Sequence, residues 1–206
     1  MPTAPIETLL IAAAAYLLGS VSFAILASRL MGLPDPRSYG SKNPGATNVL
    51  RTGNKLAAAL TLIGDAGKGA LAVGLTALYT GESSVFGYDA PIAGAMAFLG
   101  HLYPAFHGFT GGKGVATAAG VLLALNPWLG LATLATFGII VFFFRMISLA
   151  SIIAAFFSVF YAFFLFGVAP ITPVVGAIAL LLIWRHRENI VRIARGAEPR
   201  LGEKKA

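Results

Sequence analysis

The feature that most constrains this chain is its alternation of long apolar stretches with short polar loops. Every lysine and arginine lying between the stretches falls in alternate loops. A membrane helix needs about 20 apolar residues, and the first stretch, from about Ile6 to Met31, meets that length. Only 11% of the residues are charged, against about 25% in soluble domains. The deficit is what lipid-facing surface demands, because a charge in hydrocarbon is expensive. The expected fold is therefore an all-α integral membrane protein, with residues 1–206 forming a single membrane domain.

Seven apolar segments can be drawn: Ile6 to Met31, Lys55 to Thr80, Ala90 to Leu102, Val115 to Leu125, Trp128 to Phe144, Ile147 to Phe166 and Pro173 to Trp184. With seven transmembrane helices, the loops carrying Arg37, Lys42, Arg51, Lys113 and Arg145 share one side with the basic C-terminal tail. The other loops, Gly81–Asp89, Asn126–Pro127 and Val168–Thr172, hold no lysine or arginine. The positive-inside bias then predicts the N-terminus outside and the C-terminus cytoplasmic. The start of the chain has Glu7 where a cleaved signal would be basic, so the first segment is expected to remain as a membrane helix.

No cysteine is present, which excludes disulfides and thiolate metal sites, and three His with eight acids leave little for a metal cluster. The net charge of +7 fits loops facing anionic headgroups. In a membrane chain it does not argue for nucleic acid.

Three polar elements fall on the cytoplasmic side. The first loop, Gly40 to Arg51, offers Ser41, Asn43, Thr47, Asn48 and Arg51. The second, His101 to Gly114, offers His101, Gly111, Gly112, Lys113 and Gly114 just before an apolar segment. The third, His186 to Arg195, offers Asn189, Arg192 and Arg195. Guanidinium, ammonium and amide groups with glycine N–H donors suit one or more phosphates. A glycine loop opening a helix would aim N–H groups and the helix dipole at an anion. Each element also has a plainer reading. Gly111-Gly-Lys-Gly114 can be a turn with an interfacial lysine, Arg192 and Arg195 headgroup anchors, and His101 a satisfied interfacial histidine. Asp65 and Lys68, three apart on one helical face, can be a packing ion pair.

Other chemistries are excluded by position. The glycine loop is not a nucleotide-binding P-loop, since His107 stands six before Lys113 and Gly114 follows it. No His-x4-Asp pair occurs at His101 or His107, where Phe106 and Gly112 stand, and no Gly-x-Ser-x-Gly elbow is present.

These loops resemble the three signature motifs of the bacterial acyl-phosphate:glycerol-3-phosphate acyltransferases of the PlsY type. The likeness lies in Gly40-Ser-Lys-Asn-Pro-Gly-Ala-Thr-Asn-Val-Leu-Arg51, in Gly100-His-Leu-Tyr-Pro-Ala-Phe106 with Gly111-Gly-Lys-Gly-Val-Ala-Thr117, and in His186-Arg-Glu-Asn-Ile190 with Gly196-Ala-Glu198. It covers the whole chain. The resemblance implies a multi-pass enzyme of the bacterial inner membrane with a cytoplasmic active site. It implies transfer of a fatty acyl group from acyl phosphate to the 1-hydroxyl of glycerol-3-phosphate, giving 1-acylglycerol-3-phosphate (lysophosphatidic acid) and phosphate. It implies no metal and no cofactor, membrane lipid as surroundings, and the acyl-phosphate-producing enzyme as a candidate partner. The family's functional Ser, Arg, Lys and Asn match Ser41, Arg51, Lys113 and Asn189. Two positions depart: Thr110 stands where many members are expected to carry lysine, and no histidine follows Asn189 between Ile190 and Arg195. The rival reading is a membrane transporter of an organic phosphate, which the short fourth segment and glycine-interrupted helices also fit. Against it, the non-cytoplasmic loops offer no cation.

Overall fold

The computed structural model describes residues 4–81, 83 and 85–202. Among the described residues the chain is all helical, with ten α-helices, two short 3-10 turns and no strand. The first apolar segment is not one continuous helix. It divides into α1 (Pro5–Gly19) and α2 (Phe23–Leu30). The break has local causes. Ser20 turns its hydroxyl back to the Tyr16 carbonyl at 2.9 Å and accepts the Ala105 N–H at 3.2 Å. Lys68, from a different helix, donates to the Val21 carbonyl at 2.6 Å, which supplies a partner to a backbone group the interrupted helix leaves over.

Beyond the first polar loop come α3 (Ala46–Val49) and a 3-10 turn, Leu50–Thr52. The long helix α4 (Lys55–Thr80) starts at Asn54, whose side-chain oxygen accepts the Ala57 N–H at 2.9 Å, and stops at Gly81 with φ +65°. Next are α5 (Asp89–Leu102), the 3-10 turn Ala105–His107 and α6 (Val115–Leu125). Asn126 accepts two backbone N–H groups to open α7 (Pro127–Phe144), with proline at its first position. Finally come α8 (Ile147–Phe166), α9 (Ile171–Arg185) and α10 (Arg187–Ala194).

Four stretches among the described residues are long and apolar enough to cross a bilayer: the broken pair Pro5–Leu30, Lys55–Thr80, Pro127–Phe144 and Ile147–Phe166. The other three expected segments are shorter helices, α5 with 14 residues, α6 with 11 and α9 with 15.

Large and small side chains are distributed inside out relative to a soluble protein. Phe142, Phe143, Phe160, Phe163 and Phe164 are exposed on α7 and α8, whereas the buried positions are rich in Ala, Ser and Thr. Such a surface is stable only against lipid. The central helices meet through glycine. A methyl group on Gly120 of α6 would strike the Ala66 carbonyl of α4, and one on Gly100 of α5 would strike the Tyr16 carbonyl of α1. Without a hydrophobic drive between helices in lipid, this backbone approach supplies the packing. A larger cluster, including Phe98, Leu102, Leu125, Leu129 and Ile178, joins α5, α6 and α7 to α8 and α9.

Candidate active site

The first polar loop is built around Asn48, a buried residue on α3. Its amide nitrogen donates to the carbonyls of Pro36 (2.7 Å) and Tyr39 (3.2 Å), and its oxygen accepts the Ser41 N–H at 3.0 Å. Gly40 and Lys42 both take positive φ, +58° and +55°, so the chain folds tightly enough for one amide to span it. The result displays Ser41, Thr47 and Arg51 at the surface with Asn43 half-buried, and the Arg51 side chain lies against Gly40. Asn48 was expected to face substrate, but its amide is occupied within the loop.

The glycine loop departs from expectation in the same way. The N–H groups of Gly111 and Gly112 do not point outward. They donate to the carbonyls of Leu102 (3.1 Å) and His101 (3.2 Å). Glycine is required here by space, since a Cβ on Gly111 would hit the His101 carbonyl and one on Gly112 the His101 ring. That same Cβ on Gly112 would lie 3.0 Å from the Pro44 carbonyl, so the first and second loops abut. Gly114, at φ +80°, turns the chain into α6, whose first turn has no side-chain cap.

Lys113 extends from this loop, partly buried, and its ammonium donates to the side-chain oxygen of Asn189 on α10. Asn189 donates in turn to Glu198 at 2.6 Å, and Arg192 donates to the other Glu198 oxygen at 2.7 Å. Burial, then the charge of Arg192, hold the Lys113 ammonium below its ordinary value. Burial of Glu198 acts to raise its pKa, and hydrogen bonds to it, those of Asn189 and Arg192 among them, more than offset this and bring it below the ordinary value. Arg195 is exposed and caps the end of α10.

His101 is buried and faces inward. Its Nδ1 lies 3.1 Å from the Thr117 hydroxyl and 3.5 Å from Asp65, which pairs with Lys68 at 2.8 Å. The Asp65–Lys68 pair is thus a packing pair, with the further task of meeting the α1–α2 break. His101 braces the glycine loop through its carbonyl, which accepts the Gly112 N–H, and its ring, which lies against Gly112.

Three residues at this end of the bundle are given no role by the sequence, although His186 and Glu198 stand within the third motif. Arg185 donates to the carbonyls of Gly111 and Gly112. Glu198 holds Asn189 and Arg192. His186 is buried at the junction of α9 and α10, with its pKa pushed down to about 4 by burial, so it is neutral at pH 7. No histidine follows Asn189 between Ile190 and Arg195, and His186 stands three residues before it. The i, i+3 spacing of His186 and Asn189 was a signal that could have found it.

The fold and this cluster define a membrane protein with lysine, arginine and asparagine gathered at one end of a helical bundle. Comparison with known proteins goes further. Residues 9–196 match the family model described as glycerol-3-phosphate acyltransferase. The chain is 58% identical to the glycerol-3-phosphate acyltransferase of Ralstonia nicotianae, covering 97% of both chains. It is also 58% identical to that of Paraburkholderia phymatum, covering 97% of this chain and 95% of the relative. Among solved structures it resembles PlsY (YgiH), an integral membrane glycerol 3-phosphate acyltransferase. For the glycerol 3-phosphate form the TM-score is 0.88 at 37% identity, over 95% of this chain and 96% of that one. For the lysophosphatidic acid form the TM-score is 0.86 at 36% identity, over 95% and 96%. The chain belongs to the glycerol-3-phosphate acyltransferase family of the PlsY type, and it is a membrane acyltransferase.

Proposed function

We propose that the chain transfers a fatty acyl group from acyl phosphate to the 1-hydroxyl of glycerol-3-phosphate, releasing 1-acylglycerol-3-phosphate and inorganic phosphate. The observation that carries this reading is the Lys113–Asn189 contact, on a glycine loop that abuts the first polar loop. It gathers the three motif regions at one end of the bundle. Both substrates are anionic, one from the cytosol and one anchored by its acyl chain, so they must meet at an interface that offers cations.

In the reaction the glycerol oxygen bonds to the acyl carbon and the bond from that carbon to the phosphate oxygen breaks. The hydroxyl proton passes to a phosphate oxygen. Acyl phosphate is already activated, so positioning and charge stabilisation suffice and no acyl-enzyme is needed. Arg51 and Lys113 hold phosphates, Asn189 orients the Lys113 ammonium, and Ser41 steadies the developing oxyanion. Backbone help comes from the N–H groups opening α6, since those of Gly111 and Gly112 are already bonded. Asn43 and Thr47 border the acceptor, and Asn48 serves by holding the loop. The enzyme sits in the bacterial inner membrane as one domain with seven passes, the N-terminus outside and the site cytoplasmic. The one-sided lysine and arginine distribution supports that orientation.

The test is purified protein in detergent, given glycerol-3-phosphate and either acyl phosphate or acyl-CoA. Acyl phosphate is expected to yield lysophosphatidic acid and phosphate, and acyl-CoA nothing. Equal rates with the two donors, or none with acyl phosphate, overturn the reading.

A further inference from the structure

Arg185 closes α9, at a place in the sequence where an arginine ordinarily reads as a headgroup anchor. Its side chain instead turns to the glycine loop. One terminal nitrogen donates to two successive carbonyls, Gly111 at 2.9 Å and Gly112 at 3.0 Å. The N–H groups of these two residues are bonded on their other side, to Leu102 and His101. The guanidinium carbon lies 5.8 Å from the centre of the Tyr103 ring, and the Tyr103 carbonyl accepts the Tyr16 hydroxyl at 2.6 Å. Arg185 is therefore seated on residues that are themselves tied to α1.

Two consecutive glycines have the widest backbone freedom of any dipeptide, so nothing within Gly111-Gly112 fixes the next residue's direction. The restraint has to come from outside. Segment 185–189 grips segment 111–113 at two points, the carbonyls through Arg185 and the ammonium through Asn189.

We propose that Arg185 is a positioning residue for Lys113: by bridging the Gly111 and Gly112 carbonyls it sets the direction in which Lys113 leaves the glycine loop. This rests on the reading that Lys113 holds a substrate phosphate. Misplacing a substrate-holding group by about 1 Å costs on the order of 100-fold in rate. Arg185→Ala is accordingly expected to lower kcat/KM by about 10–100-fold while the protein still folds.

The experiment is a double-mutant cycle of Arg185→Ala and Lys113→Ala, measured as acyl transfer, with thermal unfolding in detergent alongside. If Arg185 acts through Lys113, its substitution costs no more than about twofold further once Lys113 is alanine. Arg185→Lys should regain part of the activity, because an ammonium can also bridge two carbonyls. A residue needed only for folding would lower the unfolding temperature and reduce activity by the same factor in both backgrounds, and that result overturns the proposal. The two readings fail separately. Near-normal activity of Lys113→Ala removes both. A damaged Lys113→Ala whose loss multiplies in full with that of Arg185→Ala removes only the role of Arg185. Should the alanine protein not fold, Arg185→Gln, which can donate to one of the two carbonyls, carries the same cycle.

Discussion

Replacing Lys113 by alanine tests the site most directly. Lys113 stands between two buried glycines, is itself partly buried, and spends one donor on Asn189. An ammonium has three donors, so up to two are left for a phosphate. Removing a charge-assisted hydrogen bond costs about 1.5–3 kcal/mol. At about 1.36 kcal/mol per decade that is roughly 10–150-fold in kcat/KM. The folded state also loses a contact. The Asn189 oxygen gives up its ammonium partner, about 1–3 kcal/mol, while its amide nitrogen keeps Glu198. Lys113→Met retains the methylene packing and removes the charge, so it should match alanine in activity and exceed it in stability. Lys113→Arg should rescue poorly, since a planar fork must fit where a point charge sat. The assay is phosphate release by purified variants, with kcat and KM for each substrate and unfolding temperature in the same detergent. Near-normal turnover by the methionine variant would refute the reasoning, as would loss of folded protein in both alanine and methionine variants.

Other outcomes are equally open to measurement. Activity that needs the Lys113 ammonium should fall on the alkaline side before pH 10.5, because burial and Arg192 hold that group below its ordinary value; a rate–pH profile with no such limb would count against it. Glu198 is held below the ordinary 4.5, so the folded protein binds fewer protons than the unfolded chain. Its contribution to stability is thus present above pH 4.5 and drains away as pH falls through the lower folded value, a loss Glu198→Gln should abolish in thermal scans. Gly120→Ala should lower stability by about 1–3 kcal/mol, because the added methyl meets backbone; an unchanged unfolding temperature would mean α4 and α6 can separate at no cost. In this cysteine-free chain, a single cysteine at Ser83 should react with an impermeant thiol reagent outside intact cells and one at Arg200 should not; the reverse pattern would invert the orientation.

Helix positions were legible because membrane segments are written in composition. The second, fourth and sixth segments, Lys55–Thr80, Val115–Leu125 and Ile147–Phe166, coincide with α4, α6 and α8. The break at Ser20–Ser22 was not legible, because it depends on Lys68 and Ala105, which are distant in sequence. In the site, the contact of Lys113 with Asn189 across 76 residues fits the grouping read from loop charges. The N–H groups of Gly111 and Gly112 do not face outward as their sequence suggests. A glycine pair before a helix reads as an anion cradle, and only the folded chain reveals that His101 and Leu102 take those donors. Arg185 left no signal for a related reason, since its partners are backbone carbonyls, and Glu198, although it stands within the third motif, showed no role because only the fold brings it to Asn189 and Arg192.

The glycine contacts between the central helices also bear on which changes this chain can tolerate. At Gly19, Gly100 and Gly120 even the smallest added side chain meets a carbonyl of the facing helix. Those positions have no neighbouring amino acid to drift through. The phenylalanines on the outer faces of α7 and α8 are exposed, and lipid chains accommodate many shapes. Saturation mutagenesis scored by growth should therefore give a sharply two-sided map, nearly blank along the α1–α5 and α4–α6 seams and permissive to any large apolar residue at Phe142, Phe143, Phe163 and Phe164. The chain's mutational freedom would lie on its greasy exterior and its constraint along its thinnest internal seams.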